Sequence, residues 1–195
     1  IAPAEKQRCR TLMRESIEKA KKGGASVYIR INKPFVDADL PYAVWPGVDR
    51  IMLPKTETIE ELQHAHEIIL RLEKERGIPP GSIELSPMIE SALGAVNICE
   101  LLDATPRKNW SQGGANGYDM AVNLGIEMFA DFDQYAFPGA YVALGAMTRN
   151  VESVGAVFVP NTSGRVDQSD QAAKQAAALH SAGIQHAGAL HPAFS

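Results

Sequence analysis

The sequence has no long apolar run. Nowhere do about 18 apolar residues follow one another, so no segment reads as a membrane-spanning helix. It is poor in cysteine, with two in 195 residues. Cys9 and Cys99 belong to no CxxC pair and build no disulfide framework, which fits a reducing cytosol. Basic charge is not in excess: the formal net charge is -4. That argues against nucleic acid as a partner, because phosphate binding shows as a surplus of Lys and Arg. The opening stretch IAPAEKQRCR is not a signal peptide. The expected compartment is the cytoplasm, where the sequon Asn161-Thr162-Ser163 stays idle. A composition of 45% hydrophobic and 22% charged residues is that of one ordinary globular core, read here as a single domain over 1–195.

Short apolar runs alternate with longer helical patterns. Residues 4–21 are rich in Lys, Arg and Glu, with Leu12, Met13 and Ile17 at helical spacing, and Gly23-Gly24 ends them. A strand is expected at 26–32, then a short helix through Asp37-Ala38-Asp39-Leu40, then a strand at 48–54. Residues 58–76 form the clearest helix, with Leu62, Ala65, Ile69 and Leu72 on one face and charge on the other. Further strands are expected at 82–90, 109–115, 153–160 and 185–192, and helices at 92–102, 137–149 and 169–181.

Strands alternating with helices imply parallel pairing and right-handed crossovers. An open doubly wound sheet carries a Gly-rich phosphate turn after its first strand. None is present, and GGANG at 113–117 lacks the GxGxxG spacing. Arg30, Lys55, Glu90, Asp119 and His191 all fall at or just past the end of an expected strand. In a closed barrel those ends share one mouth, where active sites lie. The expectation is therefore an α/β TIM-type (β/α)8 barrel, of which this sequence carries about six of eight strand–helix units.

Paired carboxylates on neighbouring strand ends suit Mg2+, which takes one or two protein carboxylates and completes its shell with water and substrate. Glu90 and Asp119 read so; the plainer readings are a helix-start carboxylate and an N-cap. Arg30 reads either as a bidentate grip on a substrate carboxylate or as an ion pair across the mouth. Lys55 could form a Schiff base, but the neighbouring Glu57 would keep its ammonium charged. His64 and His66, two apart on a helix, cannot chelate one ion and read as surface residues. His180 and His186 read as bland, His191 as structural, and Trp45 and Trp110 as packing.

The runs VYIRIN at 27–32, VDRIMLPKTE at 48–57, IELSPMIESALGAVN at 83–97, GYDMAVNLG at 117–125 and GALHP at 188–192 follow in order. Together they resemble the citrate lyase beta-subunit, malyl-CoA lyase and citramalyl-CoA lyase family, over nearly the whole chain. The resemblance implies that two strands precede this stretch and C-terminal helices follow it. It implies that Glu90 and Asp119 ligate Mg2+ and that Arg30 holds the carboxylate of a keto acid. Backbone N–H groups near Gly117 and Tyr118 would contact the same carboxylate, and Lys55 would join the substrate site. The reaction implied is Claisen or retro-Claisen chemistry on malyl-CoA, citramalyl-CoA or citryl-CoA, in a homo-oligomer, trimer or hexamer. A metal-dependent aldolase acting on free 2-keto acids and a degenerate, non-catalytic barrel are the alternatives. Two positions depart from the family pattern: Asn116 where glycine is usual and Asn123 where aspartate is usual.

Overall fold

Alternation of hydrophobic period decides the element order. The structure is a computed structural model that describes residues 3–107, 117–125, 133–157, 169–181 and 183–189. A 3-10 turn at Pro3–Glu5 leads into α1 (Lys6–Lys22), β1 (Tyr28–Arg30), a 3-10 turn at Lys33–Phe35 and α2 (Val36–Ala43). Then come β2 (Arg50–Leu53), α3 (Ile59–Glu75), β3 (Glu84–Pro87), α4 (Ala92–Val96) and α5 (Ile98–Asp103). The chain continues through α6 (Gly117–Leu124), α7 (Asp133–Thr148), β4 (Val154–Val157), α8 (Ser169–Ser181) and β5 (His186–Ala189).

All strand pairings among the described residues are parallel. β1, β2 and β3 lie side by side in chain order, with Ile29 opposite Ile51 and Ile51 opposite Leu85. β4 pairs with β5, setting Val154 opposite His186. The described residues thus give two parallel sheets. The strand expected at 109–115 lies outside them, as do Trp110, Asn116, the sequon at 161–163 and His191. The strands are shorter than the apolar runs that announce them. Single ladder bonds carry the pairing past the strand ends, from Ile31 N–H to Met52 O and from Met88 N–H to Leu53 O. The chain then turns away towards the next helix.

The core lies between this sheet and its helices. Ile29, Ile51, Leu53, Leu85 and Ile89 pack against Leu40 of α2 and Leu62, Ala65, Ile69 and Leu72 of α3. α3 begins at a Thr58–Glu61 capping box, which fixes where the β2 loop ends. On α1, Ile17 is buried and Met13 packs beside it, whereas Leu12 stands exposed.

Four expectations change. The helix expected at 92–102 breaks at Asn97 into α4 and α5, and the Asn97 side chain donates to the Glu57 carbonyl at 2.9 Å. α7 starts four residues before the expected 137 and carries Pro138 inside it. α6 was not expected as a helix at all. His66 is not a free surface group: its Nδ1 accepts from Arg107 Nε at 2.8 Å. Trp45 does pack, with the guanidinium groups of both Arg14 and Arg76 against its ring. Cys9 and Cys99 are free thiols.

Candidate functional site

Parallel strands deliver their C-terminal ends to one edge of the sheet, and three of the singled-out side chains arrive there. Arg30 is the last residue of β1, Lys55 lies two past the end of β2, and Glu90 three past the end of β3. Asp119 stands in the first turn of α6, directly after residues outside the described ones. It is therefore a first-turn carboxylate and not an N-cap. The same helix begins at Gly117 and Tyr118, so their backbone N–H groups belong to its N-terminal turn.

Lys55 joins the two carboxylates. Its backbone N–H donates to Glu90 Oε2 at 2.9 Å, and its Nζ donates to Asp119 Oδ1 at 2.9 Å. Glu90 is 3% exposed, so its carboxylate is held inside the protein. Arg30 Nη2 stands 4.0 Å from Glu90 Oε1, and half of the Arg30 side chain faces solvent. Lys55 adopts φ 53°, a left-handed backbone that only a few per cent of non-glycine residues use and that gathers at functional sites. The carboxylate against the Lys55 ammonium is Asp119. Glu57, the neighbour expected there, faces Lys33 instead, at 3.1 Å. The Ser91 hydroxyl, and then Lys33, hold the Glu57 carboxyl below the usual carboxylate range.

The loop that carries Lys55 is packed from three sides. Thr56 is fully buried; its N–H donates to Met88 O at 3.1 Å and its hydroxyl to Leu53 O at 2.7 Å. Gly94 of α4 lies so close that a Cβ there would sit 2.5 Å from Thr56 O, so the position admits only glycine without a backbone shift. Ser91 caps α4, accepting from Gly94 N–H at 3.2 Å. Asn123 of α6 accepts from Ala92 N–H at 2.9 Å and ties the helix bearing Asp119 to the start of α4. The departure from aspartate at 123 thus has a structural partner, since an amide oxygen accepts this bond without adding a third carboxylate.

On the other side, Asp39 anchors the turn after Arg30. Its Oδ2 accepts from the Asn32 N–H at 2.9 Å and from Asn32 Nδ2 at 2.7 Å, and its Oδ1 accepts from Arg10 Nη2 at 2.7 Å. Burial pushes this carboxyl up, but Asn32 and Arg10 outweigh it and hold it below the usual range. Beside them opens a cavity of about 320 Å³ lined by Lys6, Arg10, Arg30, Asn32, Asp39 and Tyr42.

The structure therefore brings Arg30, Lys55, Glu90 and Asp119 together and leaves His64 and His186 apart, paired with Asp37 and Glu152 at the surface. Sequence reasoning missed Lys33, Asp39, Ser91 and Asn97. A signal existed for Ser91, a helix-capping residue type directly after Glu90. Lys33, Asp39 and Asn97 act across the chain, which no local spacing reveals.

The likeness to solved structures extends over the whole chain. It superposes on a citrate lyase beta subunit from M. tuberculosis, complexed with oxaloacetate and magnesium, with a TM-score of 0.64 at 21% identity, covering 100% of this chain and 78% of that one. It superposes on a Haloferax volcanii malate synthase in a pyruvate/acetyl-CoA ternary complex with a TM-score of 0.78 at 14% identity, covering 98% of this chain and 55% of that one. At such identities the likeness is one of fold. In sequence, the citrate lyase subunit beta of Leuconostoc mesenteroides subsp. cremoris is 36% identical over 110 residues, 55% of this chain. The match spans only 36% of that relative's length. The HpcH/HpaI aldolase/citrate lyase family matches from residue 1 to residue 192, and the chain belongs to that family.

Proposed function

We propose that this chain forms most of the (β/α)8 barrel of a cytoplasmic, homo-oligomeric, magnesium-dependent carbon–carbon lyase. Its substrate is a carboxylated 3-hydroxyacyl-CoA such as malyl-CoA, citramalyl-CoA or citryl-CoA. The observation that carries this reading is that Lys55 bonds both Glu90, through its backbone N–H, and Asp119, through its Nζ, beside the guanidinium of Arg30.

The donor set fits the ion. Two carboxylates are hard oxygen ligands, the number and kind that Mg2+ takes from a protein before water and substrate complete its octahedron. Asp119 already holds a cation, the Lys55 ammonium, so the position attracts positive charge. In this reading Glu90 and Asp119 hold Mg2+, and the bound ion supplies Lewis-acid stabilisation of charge on the keto acid's oxygen.

The remaining residues bind and align. Arg30 presents a half-exposed planar fork to the substrate carboxylate, turning binding into orientation of the reacting bond. The N–H groups of Gly117 and Tyr118, at a helix start, favour the same negative group. Lys55 holds Asp119 in place and sets an ammonium at the mouth, where substrate oxygens arrive. The M. tuberculosis and Haloferax proteins, with oxaloacetate and magnesium and with pyruvate and acetyl-CoA, agree with a keto acid and a CoA thioester as the two halves of the substrate.

The test is a CoA-release and keto-acid assay of the full-length protein against the three thioesters, with Mg2+ and with EDTA. EDTA-sensitive cleavage of one thioester is the expected result. Cleavage of none, with turnover of a free 2-keto acid aldol, would replace this reading by the CoA-independent aldolase.

A further inference from the structure

Lys55 must serve two carboxylates at once, its N–H on Glu90 and its Nζ on Asp119. It does so from a left-handed backbone, φ 53°, which a non-glycine residue keeps only where its surroundings over-determine it. Lys33 bonds that loop from outside it. An ammonium has three N–H donors. Those of Lys33 reach Lys55 O at 2.7 Å, Glu57 Oε2 at 3.1 Å and Glu61 Oε1 at 2.7 Å. All three acceptors lie in the loop after β2 or in the first turn of α3. Glu61 closes the knot, accepting from Glu57 N–H at 2.9 Å through its other oxygen. Lys33 itself belongs to the preceding strand–helix unit, in the turn after β1, and its side chain is 29% exposed. Burial lowers its ionisation, but Glu61 and Glu57 outweigh that and keep it charged.

We propose that Lys33 is a positioning residue: it fastens the 55–57 loop from the neighbouring strand–helix unit, and so aims the Lys55 N–H at Glu90 and the Lys55 ammonium at Asp119. Its consequence for metal binding rests on the reading of Glu90 and Asp119 given above; its consequence for the loop does not. An ordinary surface ion pair in the same place would leave the loop unchanged when removed.

Amide hydrogen exchange of the full-length protein separates these cases, because the Lys55 N–H is itself the bond to Glu90. In Lys33→Met, exchange at Lys55 should rise by about tenfold while Ile51 and Leu85, inside the sheet, keep their protection. Mg2+ affinity, read by calorimetry without substrate, should fall by about tenfold, as for other residues that orient a ligand. Lys33→Arg keeps the charge but not one point with three donors, so it should show the same changes more weakly. Unchanged exchange at Lys55 in both variants overturns the proposal. If the unsubstituted protein takes up no Mg2+, the metal reading falls, and the exchange at Lys55 alone decides the role of Lys33.

Discussion

Two ion pairs stand at opposite ends of the β1–β2–β3 sheet, and they are built in opposite ways. At the end where β3 begins, Arg107 and Glu73 meet at 2.7 Å with both side chains 0% exposed. Glu73 also accepts from the N–H groups of Gly81 and Ile83, and Arg107 also donates to Ile83 O and His66 Nδ1. At the end where β2 finishes, Lys55 and Asp119 meet at 2.9 Å with 53% and 32% of their side chains exposed. A buried pair with its hydrogen bonds filled cannot give up a partner without stranding a charge. A solvated pair adds little to the stability of the fold, so its geometry is not needed to hold the fold together. In α/β barrels the N-terminal ends of the strands serve stability and the C-terminal ends serve chemistry. On the proposed function, the two pairs follow that division.

The largest expected effect is on the buried pair. Arg107→Met leaves Glu73 ionised and enclosed, and should lower stability by about 3–5 kcal/mol in urea unfolding. The double variant Glu73→Leu/Arg107→Met should recover part of that loss: no charge is left unpaired, although the buried Ile83 N–H and carbonyl lose their side-chain partners. If the single variant unfolds at the same urea concentration as the parent, the division between the two ends is wrong.

Acid should act at the same end. Arg107 Nε only donates, so the His66 Nδ1 that it meets must carry a lone pair, and His66 is neutral in the fold. Burial, and then the Arg107 charge, depress the His66 pKa below its ordinary 6.5. The folded state therefore binds fewer protons than the unfolded chain as pH falls through this window. Stability is fully present above about pH 6.5 and is lost as pH drops through the folded value. Burial pushes the Glu73 carboxyl up, but Arg107 and the two backbone N–H groups hold it below its ordinary 4.5, which extends the loss to stronger acid. In His66→Gln, whose amide oxygen can accept from Arg107, the urea midpoint should change less between pH 8 and pH 5. An equal slope in both proteins removes His66 as the cause.

The smallest effect on stability is expected at the exposed pair. Lys55→Met should cost about 1 kcal/mol or less in unfolding, since solvated pairs contribute no more than that. The same variant should nevertheless reduce turnover, a split that the buried pair does not show. A loss of several kcal/mol on unfolding would place Lys55 with the structural residues instead.

The two ends also differ in how far the sequence reveals them. Arg30, Lys55 and Glu90 are legible because each follows an apolar run, and parallel strands bring such positions to one edge. The pairing of Lys55 with Asp119 is not legible, since the nearer carboxylate in sequence is Glu57 and only the fold turns that one towards Lys33. Glu73 was half visible: it stands four residues after Ile69, on the buried stripe of α3, although its charge reads as solvated surface. Its partner Arg107 is 34 residues away, beyond any local pattern. The helix α6 went unseen because its glycine-flanked stretch reads as the end of a strand.

The most direct test of the central claim is a calorimetric Mg2+ titration of the full-length protein beside Glu90→Gln and Asp119→Asn. The account predicts saturable uptake by the parent, with thermal stabilisation on binding, and loss of both in each variant. Uptake of equal affinity in all three proteins would contradict it and take Glu90 and Asp119 out of the metal site.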